Sequence, residues 1–213
     1  MTTIFMPLRS SLRLGALLII SLFGLNAFAV ERDNSIPDYS AVAVFAGGCF
    51  WCTESDFDKV DGVLSTTSGY IGGSLKNPSY EAVSAGQSGH FEAVQVRFDP
   101  SKISYTKLLE AYWPTIDPLN ADGQFCDNGP QYRSAIFYNS QQQKQMAEAS
   151  KAALAASGRL PAPIATQILP AGTFYPAEDY HQDYHSKNPL RYTYYRHGCG
   201  RDARLETLWG KPQ

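Results

Sequence analysis

Hydrophobic positions change from a strand period to a helical period early in the chain. Residues 41–46 form an apolar run of strand length, and Phe50, Phe57 and Val60 then recur on one helix face. Gly62 follows at the point where such a helix would end. The pattern predicts a strand, a turn at the glycines between the two elements, and a helix.

A cysteine lies at the junction of this strand and this helix. Gly47 and Gly48 predict a tight turn, which puts Cys49 at or just before the first helical turn. Unpaired backbone N–H groups and the helix dipole favour negative charge there, so we expect a lowered thiol pKa and a nucleophilic Cys49. Cys52 shares its helix face, where the pair could form a redox couple or ligate a metal. A buried, unreactive Cys49 is the simpler alternative.

The clearest alternation of polarity marks a strand over residues 92–98. Glu92 falls on the same face as the apolar Val94, Val96 and Phe98. A carboxyl group on a buried face is desolvated, which raises its pKa and keeps it protonated. Glu92 is therefore a candidate acid.

The remaining elements alternate between short strands and helices. Tyr105, Leu108, Leu109 and Tyr112 follow helical spacing, with Ser104 as the expected N-cap. The other expected elements are strand 63–67, glycine-rich loop 69–73, a short helix to residue 83, turn-rich loop 117–131, strand 134–138, capped helix 141–157, strand 164–169, helix 178–186 and a glycine-punctuated tail. We expect a mixed α/β two-layer sandwich with one face of the sheet covered.

The first 29 residues have the pattern of a secretory signal peptide. Arg9 and Arg13 precede an apolar stretch over 14–25 that is too short to cross a bilayer, and residues 27–29 resemble a cleavage site. We expect cleavage after Ala29, a flexible lead-in over 30–40 and a single catalytic domain over 41–213. The destination would be the periplasm or the outside, without stable membrane insertion. An uncleaved N-terminal anchor remains the alternative.

Charge and cysteine content narrow the class of protein further. With Arg9 and Arg13 removed, 16 basic and 20 acidic residues remain, a net charge of −4 without a basic stripe. This balance argues against nucleic-acid partners. Four cysteines survive cleavage, and in an oxidising compartment two structural disulfides are an alternative to redox chemistry.

Several motifs in order resemble the A-type peptide-methionine sulfoxide reductases. The resemblance covers about residues 42–209 and is carried by the motifs Gly48-Cys49-Phe50-Trp51 with Glu54, Gly69-Tyr70 with Gly72-Gly73, Asn77-Pro78-Ser79-Tyr80, Gly89-His90-Phe91-Glu92-Ala93-Val94, Asp99-Pro100, Asp117-Pro118, Gln131-Tyr132-Arg133-Ser134 and Glu178-Asp179-Tyr180-His181-Gln182. It implies a ferredoxin-like two-layer α/β (α+β) sandwich with a mixed sheet and long loop excursions. The implied activity is reduction of the S-epimer of methionine sulfoxide, free or in proteins.

The resemblance also assigns roles to individual residues. Cys49 matches the attacking cysteine and Glu92 the acid that protonates the sulfoxide oxygen. The other matches are Tyr80 and Tyr132 as hydroxyls that hold this oxygen, Phe50 and Trp51 as the cage for the substrate methyl group, and Asp127 beside the substrate's polar end.

Attack by Cys49 would leave a sulfenic acid that a second thiol must resolve. Cys199 lies between two glycines, resembles the family's C-terminal resolving cysteine and is our expected first resolver. Cys52, where the family usually has glycine, and Cys126 are possible relays. A thioredoxin-like reductant would restore the thiols, and no cofactor or metal is implied.

The same residues are also compatible with other classes of protein. The four cysteines could form a zinc site, and His181 with His185 could ligate a metal. Secretion and the Cys49–Cys52 spacing are also typical of a general disulfide oxidoreductase. A non-catalytic domain that binds oxidised peptides is a further class.

Overall fold

The computed structural model describes residues 1–3 and 41–211. The predicted signal peptide, its cleavage site and the lead-in over 30–40 therefore lie outside the described residues, except for the first three positions. Within the described ranges, no helix combines the length and apolar character needed to span a bilayer. Residues 41–211 belong to one compact unit.

Six of the described strands form one mixed sheet in the order β7-β6-β1-β3-β2-β8. Every neighbouring pair is antiparallel except β6 and β7, which are parallel. A separate short pair, β4 and β5, lies in the predicted long loop. The strands are β1 Ala41–Gly47, β2 Val63–Ile71, β3 Phe91–Phe98, β4 Gly123–Gln124, β5 Asp127–Asn128, β6 Ser134–Tyr138, β7 Gln167–Pro170 and β8 Tyr175–Pro176.

Helices pack mainly on one face of this sheet, and serine caps start three of them. The side chains of Ser79, Ser104 and Ser140 each accept the backbone N–H three residues later, as the sequence predicts for Ser104 and Ser140. The helices are α1 Phe50–Phe57, α2 Tyr80–Ser84, α3 Tyr105–Tyr112, α4 Gln141–Ala156, α5 Tyr184–Lys187, α6 Pro189–Gly198 and α7 Arg201–Trp209, with 3-10 turns at Trp113–Thr115, Pro130–Tyr132 and Asp179–His181.

The predicted alternation of β3 is confirmed. Val94, Val96 and Phe98 join the main core beneath α1 and α3, and Glu92 on the same face is 2% exposed. The expectation that only one face of the sheet is covered is wrong. Phe91 on the opposite face belongs to a second buried cluster, against which part of the chain after β7 packs. Connecting segments without regular structure provide that cover.

The C-terminal segment differs most from its predicted structure. Where we expected a glycine-punctuated tail, α6 and α7 meet at Cys199 and Gly200, and Gly200 has a φ of +69°. The buried residues of this pair are Tyr192 and Arg201. Because a large aromatic residue and an arginine provide the buried contacts, the segment lacks the aliphatic periodicity that predicts a helix.

Three other elements differ in their boundaries from the sequence prediction. β2 continues to Ile71 and so includes the start of the predicted glycine loop, because it pairs with β3 along its whole length. The predicted helix 178–186 is a 3-10 turn followed by α5, separated by Asp183 in a left-handed conformation (φ +53°). Strand β7 begins at Gln167 rather than at 164.

Candidate active site

The turn between β1 and α1 places Cys49 as predicted, as the N-cap of the helix. Its carbonyl accepts the backbone N–H groups of Cys52 (3.1 Å) and Thr53 (3.3 Å), which fixes the first helical turn. Gly48 has a φ of +84°, and a Cβ there would lie 2.5 Å from the Gln124 side chain. Only glycine fits this turn without displacing the packed Gln124.

The thiols of Cys49 and Cys52 form a buried, hydrogen-bonded pair. Cys49 is 6% exposed and Cys52 is 1% exposed, and both are free thiols. The prediction of a lowered pKa for Cys49 is wrong in this structure. Burial raises its pKa well above the usual value, and the Cys52 hydrogen bond and the charges of Glu92 and Asp127 act in the same direction.

The lowered pKa belongs instead to Cys52. The hydrogen bond from Cys49 lowers the pKa of Cys52 to about 7, with further lowering by the charges of Arg201 and Arg196. Negative charge at the helix start is therefore carried by Cys52, which is about half ionised at pH 7. The position of Cys49 at the helix start did not predict its raised pKa, because the raise comes from α6, whose Tyr192 covers the thiols and excludes water from Cys49.

Glu92 lies at the start of the same helix. One carboxyl oxygen, Oε2, accepts the backbone N–H of Phe50 at 3.1 Å, and Phe50 directly follows Cys49. Burial raises the pKa of Glu92 to about 8, opposed by the Phe50 N–H and increased by the charges of Asp127 and Cys52. The carboxyl is uncharged at neutral pH, as the strand pattern predicts.

Two tyrosine hydroxyls face this carboxyl group. Tyr80 begins α2, where its backbone N–H donates to Glu178 Oε1 at 2.9 Å, and its hydroxyl bonds to that of Tyr132. Burial and the charge of Glu92 raise the pKa of Tyr80 to about 12. The same two causes raise the pKa of Tyr132 above its ordinary value. Both phenols keep their protons at neutral pH and can donate hydrogen bonds.

Aromatic rings enclose the remaining side of the thiols. The Phe50 ring lies 6.5 Å from that of Trp51, and Trp51 stacks on Tyr184 with centroids 3.8 Å apart. The Trp51 indole N–H donates to Nδ1 of His181 at 3.0 Å, which fixes the plane of the indole. Sulfur–aromatic contacts are favourable by up to about 1.5 kcal/mol, so such a wall suits a thioether.

Asp127 connects the thiols to the second pair of cysteines. Cys126 and Cys199 form a disulfide, and one Asp127 oxygen lies 3.8 Å from the Cys126 sulfur. The other oxygen accepts the hydroxyl of Tyr195 at 2.5 Å. Tyr195 packs against Cys49, so the disulfide lies close to the reactive pair.

The metal readings have little support in the geometry. Sulfur atoms of Cys126 and Cys199 cluster with the Asp127 carboxylate within 4.8 Å, but the two sulfurs are bonded to each other, whereas zinc binds thiolates. His181 is occupied by Trp51, and His185 lies in a different helix beside Asp58, at 3.5 Å.

The structure thus brings together the residues to which the family resemblance assigns roles, whereas His185 lies apart from them. Cys49, Cys52 and Glu92 meet at the start of α1, and the hydroxyls, the aromatic wall, Asp127 and the second cysteine pair surround them. Sequence reasoning missed Tyr184, Tyr195 and Arg201. Tyr184 follows the quoted Glu178–Gln182 motif, whereas the other two lie in the segment predicted to be an irregular tail.

Paired thiols beside an uncharged carboxyl group, with a second pair joined as a disulfide, define a thiol-dependent oxidoreductase. The sequence model of the family described as "Peptide methionine sulfoxide reductase" matches residues 41–213. The chain belongs to the peptide methionine sulfoxide reductase family, and the predicted resemblance is confirmed.

Individual relatives agree with this assignment. The peptide methionine sulfoxide reductase MsrA of Bacillus licheniformis is 55% identical over 170 residues, covering 80% of this chain and 94% of the relative. Methionine sulfoxide reductase A of Corynebacterium diphtheriae is similar in structure, with a TM-score of 0.65, 36% identity, and 72% and 77% of the two chains covered. Reduced Mxr1 of Saccharomyces cerevisiae has a TM-score of 0.68 and 31% identity, covering 72% of this chain and 88% of Mxr1. These neighbours confirm the α+β fold class.

Proposed function

We propose that this chain reduces the S-epimer of methionine sulfoxide, free or in proteins, to methionine. One observation carries the proposal: the uncharged Glu92 carboxyl accepts the N–H of the residue that follows Cys49. A sulfoxide sulfur is a poor electrophile until its oxygen gains a proton. An acid that is still protonated at neutral pH, beside a sulfur nucleophile, meets that need.

The first chemical step uses both groups. Glu92 donates its proton to the sulfoxide oxygen, and the hydroxyls of Tyr80 and Tyr132 stabilise charge on that oxygen. The Cys49 sulfur attacks the substrate sulfur while its proton moves along the hydrogen bond to the Cys52 thiolate. Methionine leaves, and the oxygen remains on Cys49 as a sulfenic acid.

The arrangement of these groups favours one sulfoxide epimer. The oxygen must point to Glu92 while the methyl group lies against Phe50 and Trp51 and the sulfur faces Cys49. In the opposite epimer the oxygen and one carbon substituent exchange places, so the oxygen meets the aromatic wall without a donor.

The adjacency of Cys52 to Cys49 favours Cys52 as the first resolver, where the sequence favoured Cys199. The Cys52 sulfur forms a disulfide with Cys49, and the Cys49 hydroxyl leaves with a proton as water. Cys126 and Cys199, as thiols, then take over the disulfide by exchange and return Cys49 and Cys52 to free thiols. The observed state, with Cys126 joined to Cys199 and the other pair free, matches the product of that exchange.

A protein reductant of thioredoxin type restores the second pair. Cys126 is exposed whereas Cys49 and Cys52 are buried, so an external thiolate reaches the Cys126–Cys199 disulfide more easily. The same burial argues against the general disulfide oxidoreductase, because a protein disulfide cannot reach Cys49. Glu92 and the two tyrosine hydroxyls would also have no task in such an enzyme.

We expect the purified enzyme, with dithiothreitol as reductant, to convert only the S-epimer of methionine sulfoxide. The physical reason is that the oxygen must reach Glu92 while the methyl group lies against Phe50 and Trp51, which only one epimer can do. The family resemblance makes that epimer the S-form. Separation of the products from each pure epimer by chiral chromatography measures this. Equal conversion of both epimers, or reduction of scrambled disulfides without any methionine, would contradict the proposal.

The rate of sulfoxide reduction should fall as the pH rises through about 8. Glu92 must be protonated to act, and burial holds its pKa near that value. A carboxyl group with its ordinary pKa of 4.5 would already have lost the proton far below neutral pH. The test is the single-turnover rate of methionine formation as a function of pH. A rate that stays constant over about two pH units, from pH 7 to well above 8, would exclude Glu92 as the acid.

We further propose that residues 1–29 direct export, with cleavage after Ala29 and release into the periplasm or outside. The proposal is supported by the basic, apolar and small-residue segments in that order. Expression of the full chain in a Gram-negative bacterium, followed by fractionation and N-terminal sequencing, tests it. An N-terminus at Val30 in the periplasmic fraction is expected, and an intact chain in the cytoplasm or membrane would contradict it.

A further inference from the structure

We propose that Arg201, at the start of α7, is a positioning residue whose buried guanidinium holds the end of β1 where the Cys49 turn begins and adds positive charge near the Cys49–Cys52 pair. The proposal rests on the proposed function, because it gives Arg201 a role in the attack of Cys49 on the sulfoxide sulfur. It concerns a residue of the C-terminal segment, far from Cys49 along the chain.

Arg201 is 1% exposed, and its guanidinium contacts four parts of the chain. One nitrogen donates to the carbonyl of Gly47 at 3.1 Å, and another donates to the carbonyl of Thr115 at 2.7 Å. The guanidinium lies 4.5 Å from the centroid of the Phe125 ring and 3.9 Å from a carboxyl oxygen of Asp56. A buried cation is costly unless it is paired and hydrogen-bonded. The two carbonyls, the Phe125 ring and Asp56 offset this cost, while Nε of the guanidinium has no hydrogen-bond partner among the described residues.

These contacts tie the two cysteine pairs to one another. Gly47 immediately precedes Gly48 and Cys49, so the Arg201 hydrogen bond holds the end of β1 where the turn begins. Phe125 precedes Cys126, and Cys199 lies two residues before Arg201. The planar Arg201 guanidinium therefore contacts residues close in sequence to both cysteine pairs. Its fixed fork of donors suits two carbonyls at once, which a lysine ammonium matches less well.

Charge at the pair is the second part of the role. Arg201 and Arg196 are the cations that act on Cys52, and both favour its thiolate. The carboxylate of Asp56 opposes them, although it is held 2.8 Å from Arg196. Glu92, which is uncharged at neutral pH, faces the pair from β3. Tyr192 faces it from α6 with a phenol whose pKa is raised to about 12, so it is neutral as well.

This charge matters for the order of events. A Cys52 thiolate accepts the Cys49 proton during attack and so speeds this step, whereas a thiol cannot accept it. In the next step the Cys52 sulfur bonds to the Cys49 sulfur, the S–O bond of the sulfenic acid breaks, and the hydroxyl leaves with a proton as water. The positive charge of Arg201 favours the ionised Cys52 that speeds the first of these steps.

The test is a pH titration of the ultraviolet thiolate absorbance in Cys49→Ser protein with the Cys126–Cys199 disulfide intact. Serine retains a hydroxyl donor to Cys52, and subtraction of the Cys49→Ser, Cys52→Ser protein isolates the Cys52 signal. We expect the midpoint to rise by about one pH unit in Arg201→Met, about a fivefold smaller thiolate fraction at pH 7. Arg201→Lys, which keeps the charge, should restore most of that shift.

Arg204→Met is the matched control, because Arg204 lies in the same helix and also pairs with a carboxylate, that of Asp117 at 2.7 Å. It should leave the Cys52 midpoint unchanged. A folded Arg201→Met protein that titrates like its parent, or a lysine variant that shifts as far as the methionine one, would overturn the proposal.

If Arg201→Met fails to fold, Arg201→Gln gives the decisive result, because glutamine keeps an N–H donor for the Gly47 carbonyl but carries no charge. Its Cys52 midpoint should also rise by about one pH unit, and an unchanged midpoint would overturn the proposal. Sulfoxide reduction by the enzyme with all four cysteines is assayed separately. A failure of the proposed function therefore shows as absent methionine, whereas a failure of the Arg201 proposal shows only in these titrations.

Discussion

Replacement of Glu92 by glutamine should slow sulfoxide reduction at neutral pH by a factor of at least about 100, the lower end for loss of a general acid. Glutamine fills the same buried volume, and its carbonyl can accept the Phe50 N–H that Glu92 accepts at 3.1 Å. The fold should persist, while no proton is available for the sulfoxide oxygen. The single-turnover rate of methionine formation measures the effect, and circular dichroism checks the fold.

The control for this substitution is Glu54→Gln in the same helix as Cys49. Glu54 is fully buried and burial raises its pKa to about 7, so it resembles Glu92 in environment but does not contact the reacting groups. We expect its rate to stay within about twofold, since an interaction outside the transition state does not change the barrier. An unchanged rate in Glu92→Gln would remove the acid from the mechanism.

Replacement of Cys52 by serine should limit the enzyme to about one methionine per active site when thioredoxin is the reductant. The first step still proceeds, more slowly because the thiolate that accepts the Cys49 proton is lost, and the Cys49 sulfenic acid has no sulfur beside it. By contrast, Cys199→Ser should sustain turnover with dithiothreitol, which can reduce the Cys49–Cys52 disulfide directly, and stall after about one turnover with thioredoxin. Dimedone labelling after the single turnover with thioredoxin separates the two variants, because Cys52→Ser retains a sulfenic acid whereas Cys199→Ser retains the Cys49–Cys52 disulfide.

The opposite pattern would assign the roles differently. Sustained turnover of Cys52→Ser with thioredoxin, together with arrest of Cys199→Ser at the sulfenic acid, would make Cys199 the first resolver, as the sequence alone favoured. The matched control is Cys126→Ser, which removes the exposed sulfur of the same disulfide. It should behave like Cys199→Ser with thioredoxin, because the terminal disulfide cannot form.

Local sequence patterns predicted the parts of the site that local structure controls. The strand–glycine–helix pattern placed Cys49 at the helix start, and alternation along β3 placed Glu92 on the buried face. Both predictions depend on the period of one element and on the chemistry of one residue type. The family motifs then supplied roles for Tyr80, Tyr132 and Asp127, which remain predictions.

Long-range packing explains what the sequence did not reveal. The pKa of Cys49 rises rather than falls because α6, some 140 residues later, covers it with aromatic rings. The link between Asp127 and Tyr195, and the Arg201 contacts with β1, join positions far apart in the chain. No period of hydrophobic residues encodes such contacts, because they are made by a tyrosine and an arginine on two short, polar helices, α6 and α7.

The central claim is that the sulfur of Cys49 takes the oxygen of methionine sulfoxide with the help of an uncharged Glu92. The most direct measurement uses protein in which Cys52, Cys126 and Cys199 are serines, so that Cys49 is the one remaining cysteine. This protein receives one equivalent of the S-epimer and dimedone, a reagent that traps sulfenic acids. We predict methionine and a dimedone adduct on Cys49 in equal amounts by mass spectrometry, both lost in Glu92→Gln at neutral pH. Methionine formed without an adduct on Cys49 would contradict the account.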